Sequence, residues 1–217
     1  APDASIRVDY ELGVALADAG VAQRAYVLDV PPGTLDLGDG RTLVHPALQI
    51  RPDDRIALVG ANGLGKSTLL RHLLPQVLVP EERLLNIPQE ISEDESRRIH
   101  EELKRLDDVP LGRVMTLVSR LGSRPARLLA STTPSPGEIR KILLARGVAR
   151  GPHLIVMDEP TNHLDLPSIE CLEAALAEAP CALLLVSHDA RFLSKLTRMR
   201  WELTPTTPTQ IELNVVL

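Results

Sequence analysis

Short apolar runs alternate with helix-like stretches along most of this sequence. Runs that are apolar at consecutive positions are typical of strands buried on both faces of a parallel sheet. Such runs lie at 55–59 (RIALV), 84–87, 153–157 and 181–186 (CALLLV). Stretches that we predict to be helical lie at 66–74, 167–179 and 191–196. The alternation predicts an α/β fold whose mainly parallel core sheet is covered by helices on both faces.

Both ends of the chain carry patterns that are typical of antiparallel strands. Apolar and polar residues alternate over 6–12, and a short apolar run follows at 26–30. Two further runs, 34–37 and 41–44, flank the turn Gly38-Asp39-Gly40 and predict a hairpin. Closing strands are predicted at 199–203 and 211–217. The core sheet therefore has an antiparallel β edge.

The segment of about 90–150 is mostly helical by periodicity, with prolines as breaks. We expect it to be a helical insertion within a single domain that spans 1–217. Residues 81–108 have ten acidic and five basic side chains, whereas residues 109–151 have eight basic and one acidic. The basic stretch is either a solvated helical face or a docking surface for an acidic partner, RNA or a second such domain.

Composition narrows the range of functions. A net charge of -5 and only four aromatic residues in 217 exclude bulk binding of nucleic acid and a surface that stacks several bases. Cys171 and Cys181 are too few for a disulfide framework, and we expect both to be small core residues. No apolar run approaches the roughly 18 residues that span a bilayer, and no signal peptide is evident. We therefore expect a cytoplasmic protein without membrane insertion.

A complete phosphate-binding motif follows the first buried run. The pattern GxxxxGK[ST] is formed by Gly60, Ala61, Asn62, Gly63, Leu64, Gly65, Lys66, Ser67 and Thr68. It joins a buried strand to a helix, so its backbone N–H groups and the helix N-terminus can surround phosphate oxygens. Lys66 is expected to contact the β- and γ-phosphates, and Ser67 to be a ligand of Mg²⁺. The alternative is a glycine-rich turn that binds nothing.

Two carboxylates end the apolar run that begins near residue 153. Asp158 is expected to bind Mg²⁺ and Glu159 to accept the proton of the attacking water. The alternative is that both residues only cap the element that follows. We predict a nucleotide hydrolase because the phosphate-binding motif and this acidic pair occur together.

Two segments carry a family resemblance. The run 158–165 (DEPTNHLD) resembles the Walker B motif and D-loop of an ATP-binding-cassette (ABC) ATPase. The wording PTNHLD, followed by SHDARFL at 187–193, is similar to the ABC-F branch, whose members lack membrane domains and are mostly ribosome-associated translation factors or antibiotic-resistance proteins. The resemblance covers about residues 30–200. It implies an ATPase that uses ATP and Mg²⁺, closes against a second ABC cassette and acts on a partner such as the ribosome or its rRNA.

The resemblance also assigns roles to further residues. Gln89 matches the Q-loop glutamine, which senses the metal, and His188 matches the switch histidine, which contacts the γ-phosphate. Asp165 matches the D-loop aspartate at the contact between cassettes. Ser135 and Gly137 match the signature segment, which faces the nucleotide of the opposite cassette. Because the chain begins with Ala1 and not Met, we expect it to be either processed or cut from something longer. The resemblance implies that it is the C-terminal cassette of a tandem protein.

The sequence departs from the family in two places. Pro134 and Pro136 replace a leucine and a glycine of the signature, and a proline at 136 removes a backbone N–H that could contact phosphate. Pro136 can instead begin the helix predicted to end near residue 150. The usual aromatic residue that stacks on adenine is missing, and only Leu35 or Leu37 can offer apolar contact to the base.

Two alternative functions remain open from the sequence. One is the ATPase subunit of an ABC membrane transporter, although the sequences PTNHLD and SHDARFL argue against it. The other is a weakly hydrolysing nucleotide-binding interaction domain, because the signature is altered.

Overall fold

The structure is a computed structural model that describes residues 25–131, 134–162 and 164–217. The strand predicted at 6–12 lies outside these residues. The strands are β1 (Leu28–Val30), β2 (Gly33–Gly38), β3 (Arg41–His45), β4 (Leu48–Ile50), β5 (Arg55–Val59), β6 (Leu84–Ile87), β7 (Leu154–Asp158), β8 (Ala182–Val186), β9 (Met199–Pro205) and β10 (Gln210–Val216). The helices are α1 (Lys66–Leu73), α2 (Glu93–Lys104), α3 (Asp108–Arg120), α4 (Pro125–Ala130), α5 (Pro136–Ala149), α6 (Leu166–Glu178) and α7 (Ala190–Leu196). Two short 3-10 helices lie at Leu74–Gln76 and Glu81–Arg83.

Eight strands form one mixed sheet in the order β2-β3-β10-β9-β5-β8-β7-β6. The pairs β9–β5, β5–β8, β8–β7 and β7–β6 are parallel, and the pairs β2–β3 and β9–β10 are antiparallel. The predicted fold class, a mainly parallel core with an antiparallel edge and a helical insertion, is confirmed. Because β5, β7 and β8 are neighbours and parallel, the loops that follow them meet at one edge of the sheet.

Some details of the edge differ from the prediction. Strand β4 was not predicted, and it pairs with β1 in a separate two-stranded antiparallel sheet. Strand β3 is parallel to β10, although it is antiparallel to its hairpin partner β2. The sequence gives no signal for either pairing because both join segments far apart in the chain.

The helical insertion consists of α2 to α5 and has an apolar core of its own. Helices α2, α3, α4 and α5 contribute the buried side chains Ile99, Leu103, Val114, Val118, Leu128, Ile139 and Ile142. Helix α5 also approaches the sheet closely, because a Cβ at Gly147 would lie 2.3 Å from Cδ1 of Leu85 on β6. The absence of a side chain at Gly147 therefore lets the insertion pack directly on the sheet edge.

The two cysteines differ in their surroundings. Cys181 is buried beside β8, as predicted, with 4% of its surface exposed. The prediction that Cys171 is also a core residue is wrong, because Cys171 is exposed on α6. The helical periodicity of α6 is compatible with either face for this position, so a small apolar residue was misassigned to the core.

Candidate functional site

The phosphate-binding motif forms the loop between β5 and α1, as the sequence predicts. Gly60, Gly63 and Gly65 all have positive φ, and Gly65 is the N-cap of α1 with φ of 94°. The ammonium group of Lys66 donates hydrogen bonds to the carbonyl oxygens of Gly60 (2.7 Å) and Ala61 (3.1 Å). The cation therefore lies across the loop, where the N-terminus of α1 adds its own positive potential.

Ser67 and Asp158 meet although they are 91 positions apart in the chain. The hydroxyl of Ser67, on the first turn of α1, donates a hydrogen bond of 2.8 Å to Oδ2 of Asp158 at the end of β7. Asp158 is buried, with 6% of its surface exposed. A hydroxyl and a carboxylate are the oxygen ligands that Mg²⁺ prefers, so this pair fits the predicted metal site.

Within the ranges that the structure describes, no group of three or more His, Cys, Asp or Glu side chains could hold a metal ion.

Glu159 has an unusual backbone and a carboxylate oxygen without a hydrogen-bond partner. Its φ is 50°, in the left-handed region, and its side chain is 9% exposed. Oε2 accepts a hydrogen bond of 3.4 Å from the backbone N–H of His188. Oε1 is buried and accepts no hydrogen bond from the described residues. The role of Glu159 as the base stays a prediction.

His188 lies between Glu159 and the phosphate loop. Its Nε2 is 3.5 Å from Oε1 of Glu159 and 2.7 Å from Oδ1 of Asn62. The side chain is 55% exposed, so it can also reach a molecule bound over the loop. The structure thus brings together four of the predicted positions: the phosphate loop, Asp158, Glu159 and His188.

Gln89 contacts this region through its backbone. It follows β6, its side chain is exposed, and its carbonyl oxygen accepts a hydrogen bond from Arg140. The predicted role of its side chain in sensing the metal stays a prediction.

The signature segment begins α5 with a capping box. Oγ of Ser135 accepts from the N–H of Glu138 (3.3 Å), and a carboxylate oxygen of Glu138 accepts from the N–H of Ser135 (2.8 Å). That N–H of Ser135 lowers the pKa of Glu138. Pro136 occupies the first turn, as predicted. The contacts shown for Ser135 lie within its own helix, so its role towards a second nucleotide stays a prediction, as does that of Gly137.

The D-loop aspartate is a helix cap. The carboxylate of Asp165 accepts a hydrogen bond of 3.2 Å from the N–H of Ser168 on the first turn of α6. Hydrogen bonding to Ser168 lowers the pKa of Asp165. Its predicted contact with a second cassette stays a prediction.

Two arginines at the site were missed by the sequence reasoning. Arg41, on β3, donates a hydrogen bond of 2.9 Å to the carbonyl oxygen of Gly63 in the phosphate loop. Arg140, on α5, donates to the carbonyl oxygen of Glu159 at 3.0 Å. Arg140 stands next to Lys141 in a helix of mixed polarity, so its sequence position gave no sign of this contact.

Leu37 lies against the phosphate loop from the β2 side. A Cβ built at Gly65 would be 2.6 Å from Cδ2 of Leu37. The side chain that is expected to offer apolar contact to the base is therefore next to the loop, and Leu35 packs on the same core.

Comparisons with known proteins show which kind of domain this chain resembles. The family described as ABC transporter matches residues 43–110. The zinc import ATP-binding protein ZnuC of Paracoccus denitrificans is 34% identical over 168 residues, which cover 70% of this chain and 65% of that protein. The chain is an ABC-type ATP-binding domain. The predicted class of enzyme, an ABC-type ATPase, is confirmed at this level.

Two other relatives of this ABC domain are not named as transporter subunits. The ribosome protection protein VmlR of Bacillus subtilis is 33% identical over 185 residues, which cover 80% of this chain and 33% of that protein. ATP-binding cassette sub-family F member 2 of Mus musculus is 32% identical over 166 residues, which cover 69% of this chain and 26% of that protein. The chain spans no more than 65% of the length of any of these three relatives.

Solved structures show the same fold. The model of ribosome-bound archaeal Pelota and ABCE1 superposes with a TM-score of 0.67 at 21% identity, covering 92% of this chain and 36% of that chain. In the part of this ABC domain that the structure describes, no helix is both long and apolar enough to cross a membrane.

Proposed function

We propose that this ABC domain binds ATP with Mg²⁺ over the loop 60–68 and hydrolyses the γ-phosphate bond. The observation that carries the proposal is the 2.8 Å hydrogen bond between Ser67 and Asp158. Lys66 directly precedes Ser67 in the chain, and Glu159 directly follows Asp158. The structure thereby joins a phosphate-binding loop to a carboxylate pair at one edge of the sheet.

The residues of the loop hold the triphosphate. Lys66 is held by carbonyl oxygens of its own loop at 2.7 and 3.1 Å, so its cation already lies at the loop where phosphate oxygens would bind. Ser67 and Asp158 would hold Mg²⁺, with Gln89 as a further candidate ligand. The metal, when bound, neutralises charge on the phosphates.

Glu159 and His188 supply the proton chemistry. Oε1 of Glu159 is the acceptor for the proton of the attacking water, since it is buried and has no hydrogen-bond partner among the described residues. His188 would contact the γ-phosphate, since its Nε2 lies 3.5 Å from Oε1 of Glu159 and 2.7 Å from Oδ1 of Asn62 in the phosphate loop.

Calorimetric titration of MgATP tests the binding step. We expect Lys66→Ala to lose tight binding while the protein stays folded, because Lys66 contacts only its own loop. Lys104→Ala is the matched control, since Lys104 is exposed on α2 and donates to the carbonyl of Ser131. Unchanged affinity in the Lys66 variant would contradict the proposal.

We propose that the partner of this domain is a second ABC cassette, in the same longer chain or as a dimer mate. Ser135 and Gly137 would face the nucleotide of that second cassette. Since Pro136 removes an N–H from the signature, pairing of two identical copies is disfavoured. Light scattering of the Glu159→Gln variant with MgATP tests this: the 217-residue chain alone should stay monomeric, and a stable homodimer at micromolar concentration would favour a free-standing ATPase.

We further propose a cytoplasmic ABC-F protein whose closing and opening acts on the ribosome, in translation or antibiotic resistance. The motifs PTNHLD and SHDARFL support this, as do the relatives VmlR and sub-family F member 2. We expect the full-length Glu159→Gln protein to sediment with ribosomes in MgATP and not in MgADP.

One relative favours the alternative, the ATPase subunit of an ABC transporter, because ZnuC is 34% identical. Co-purification of the full-length protein with a membrane protein, and no sedimentation with ribosomes, would support that alternative.

A further inference from the structure

Arg140 is a buried cation that none of the motifs includes. It lies in the second turn of α5, between the buried Ile139 and Ile142, and only 5% of its surface is exposed. A guanidinium is rarely buried to this extent unless its donors are paired. Its partners therefore indicate why it is there.

All the hydrogen bonds shown for Arg140 end on backbone carbonyl oxygens of two loops of the active site. Nη1 donates to the carbonyl of Glu159 at 3.0 Å. Nη2 donates to the carbonyl of Pro88 at 3.2 Å and also to that of Gln89. One planar group thus connects the loop after β6 to the loop after β7, and it does so from the helix that Ser135 begins.

The bond to Glu159 bears on the conformation of the predicted base. A left-handed backbone is unfavourable for a non-glycine residue, so surrounding contacts must hold it. The N–H of Glu159 donates to the carbonyl of Val186 at 2.8 Å, and its carbonyl accepts from Asn162 at 3.2 Å and from Arg140. Both backbone polar groups of Glu159 are therefore fixed, and Arg140 is the side chain that fixes the carbonyl.

Arg140 also interacts electrostatically with the carboxylates of Asp158 and Glu159. Burial lowers the pKa of Arg140, while the charges of Asp158 and Glu159 act to raise it. Since a guanidinium keeps its proton in proteins, it stays a cation beside these acids. It can offset their repulsion without occupying the side-chain oxygens needed for the metal and the proton.

We propose that Arg140 is a positioning residue for hydrolysis. It holds Glu159 in the left-handed conformation that directs its carboxylate to His188, and it couples this conformation to Pro88–Gln89 and to the start of α5. A lysine cannot replace it, because a single ammonium does not offer the planar fork that spans the two loops. The inference rests on the ATPase function proposed above.

The test is single-turnover ATP hydrolysis by the full-length protein, with the residual rate of the Glu159→Gln variant measured in parallel. We expect Arg140→Met and Arg140→Lys each to lower the rate by about 10- to 100-fold, since small displacements of a reacting group have effects of this size. MgATP affinity should stay within about threefold, because the hydrogen bonds shown for Arg140 end on Pro88, Gln89 and Glu159 and not on the loop 60–68. Arg146→Met is the matched control on the same helix, since Arg146 pairs with Glu102 at 2.7 Å away from the site; its rate should be unchanged.

A double variant separates positioning from a general loss of structure. If Arg140 acts through Glu159, adding Arg140→Met to Glu159→Gln causes no further loss of rate. A wild-type rate in Arg140→Lys, or an equal further loss in the double variant, would overturn the inference while the ATPase proposal stands. If Glu159→Gln itself hydrolyses ATP normally, Glu159 is not the base and this inference fails with that assignment, whereas a wild-type protein that hydrolyses no ATP would contradict the ATPase proposal. If Arg140→Met does not fold, Arg140→Lys carries the test.

Discussion

Nε2 of His188 lies 2.7 Å from Oδ1 of Asn62, which joins the loop after β8 to the phosphate loop after β5. The imidazole is at the same time 3.5 Å from Oε1 of Glu159. One side chain therefore touches both the part of the site that holds phosphate and the part that accepts a proton. A bound γ-phosphate would replace Asn62 as the partner of this imidazole.

We predict that His188→Ala lowers the rate of ATP hydrolysis by about 100-fold. The melting temperature should change by less than about 2 °C, because the side chain is 55% exposed and supports no core contact. Turnover assays and thermal unfolding measure the two effects. His72→Ala, at an exposed position on α1, is the control and should keep its turnover. Normal turnover in the His188 variant would remove this residue from the mechanism.

We predict that Gly65→Ala destabilises the protein more than Gly63→Ala does. Both glycines have positive φ, which costs an alanine about 1–2 kcal/mol. Only Gly65 adds a close contact, since its Cβ would lie 2.6 Å from Leu37, whereas a Cβ at Gly63 would meet nothing within 4 Å. Urea unfolding measures the difference in free energy.

The Leu37→Ala background isolates the contact. In that background the Gly65→Ala and Gly63→Ala variants should lose similar free energies of unfolding. If the difference persists without the leucine side chain, steric contact with Leu37 is not its cause.

The sequence predicted the parts of the site that follow buried strands. The motif at 60–68, Asp158, Glu159 and His188 all come directly after apolar runs, and parallel strands bring such loops to one edge. The core sheet and the helical insertion were predicted for the same reason, since both depend on patterns that are local in the chain.

The remaining features depend on contacts between distant segments. Arg140 binds carbonyl oxygens that are 19, 51 and 52 positions away, and backbone carbonyls leave no trace in a sequence pattern. Strand β4 has three residues and forms its own small sheet with β1, so its pattern is too short to be recognised. Cys171 was misassigned because a cysteine is compatible with either face of a helix.

We predict that His153 makes the fold less stable in acid. Burial, together with the charge of Arg83, lowers the pKa of His153, and neither ring nitrogen has a hydrogen-bond partner among the described residues. Below the ordinary pKa of histidine, His153 is protonated in the unfolded chain but stays neutral in the folded protein. The free energy of unfolding therefore decreases as the pH falls below that value. The melting temperature should fall less between pH 7.5 and 5.5 in His153→Asn than in the wild type. His72→Asn is the control, and an equal fall in all three proteins would contradict the prediction.

We predict that one of the two thiols in the 217-residue chain reacts in the native state. Cys171 is exposed, whereas burial raises the pKa of Cys181 to about 12, which keeps it protonated and unreactive. Maleimide labelling followed by mass spectrometry should show one label in buffer and two in denaturant. Cys171→Ser should remain unlabelled until it is unfolded, and rapid native labelling of that variant would show that Cys181 is accessible.

Single-turnover hydrolysis by the Glu159→Gln variant tests the central claim most directly. Glutamine keeps the shape of the side chain but cannot take a proton, so MgATP affinity should stay within a few-fold of the wild type while the rate falls by about 100-fold or more. Both quantities are measured on the full-length protein with radiolabelled ATP. A wild-type rate at unchanged affinity would contradict the account, because Glu159 would then not be the base.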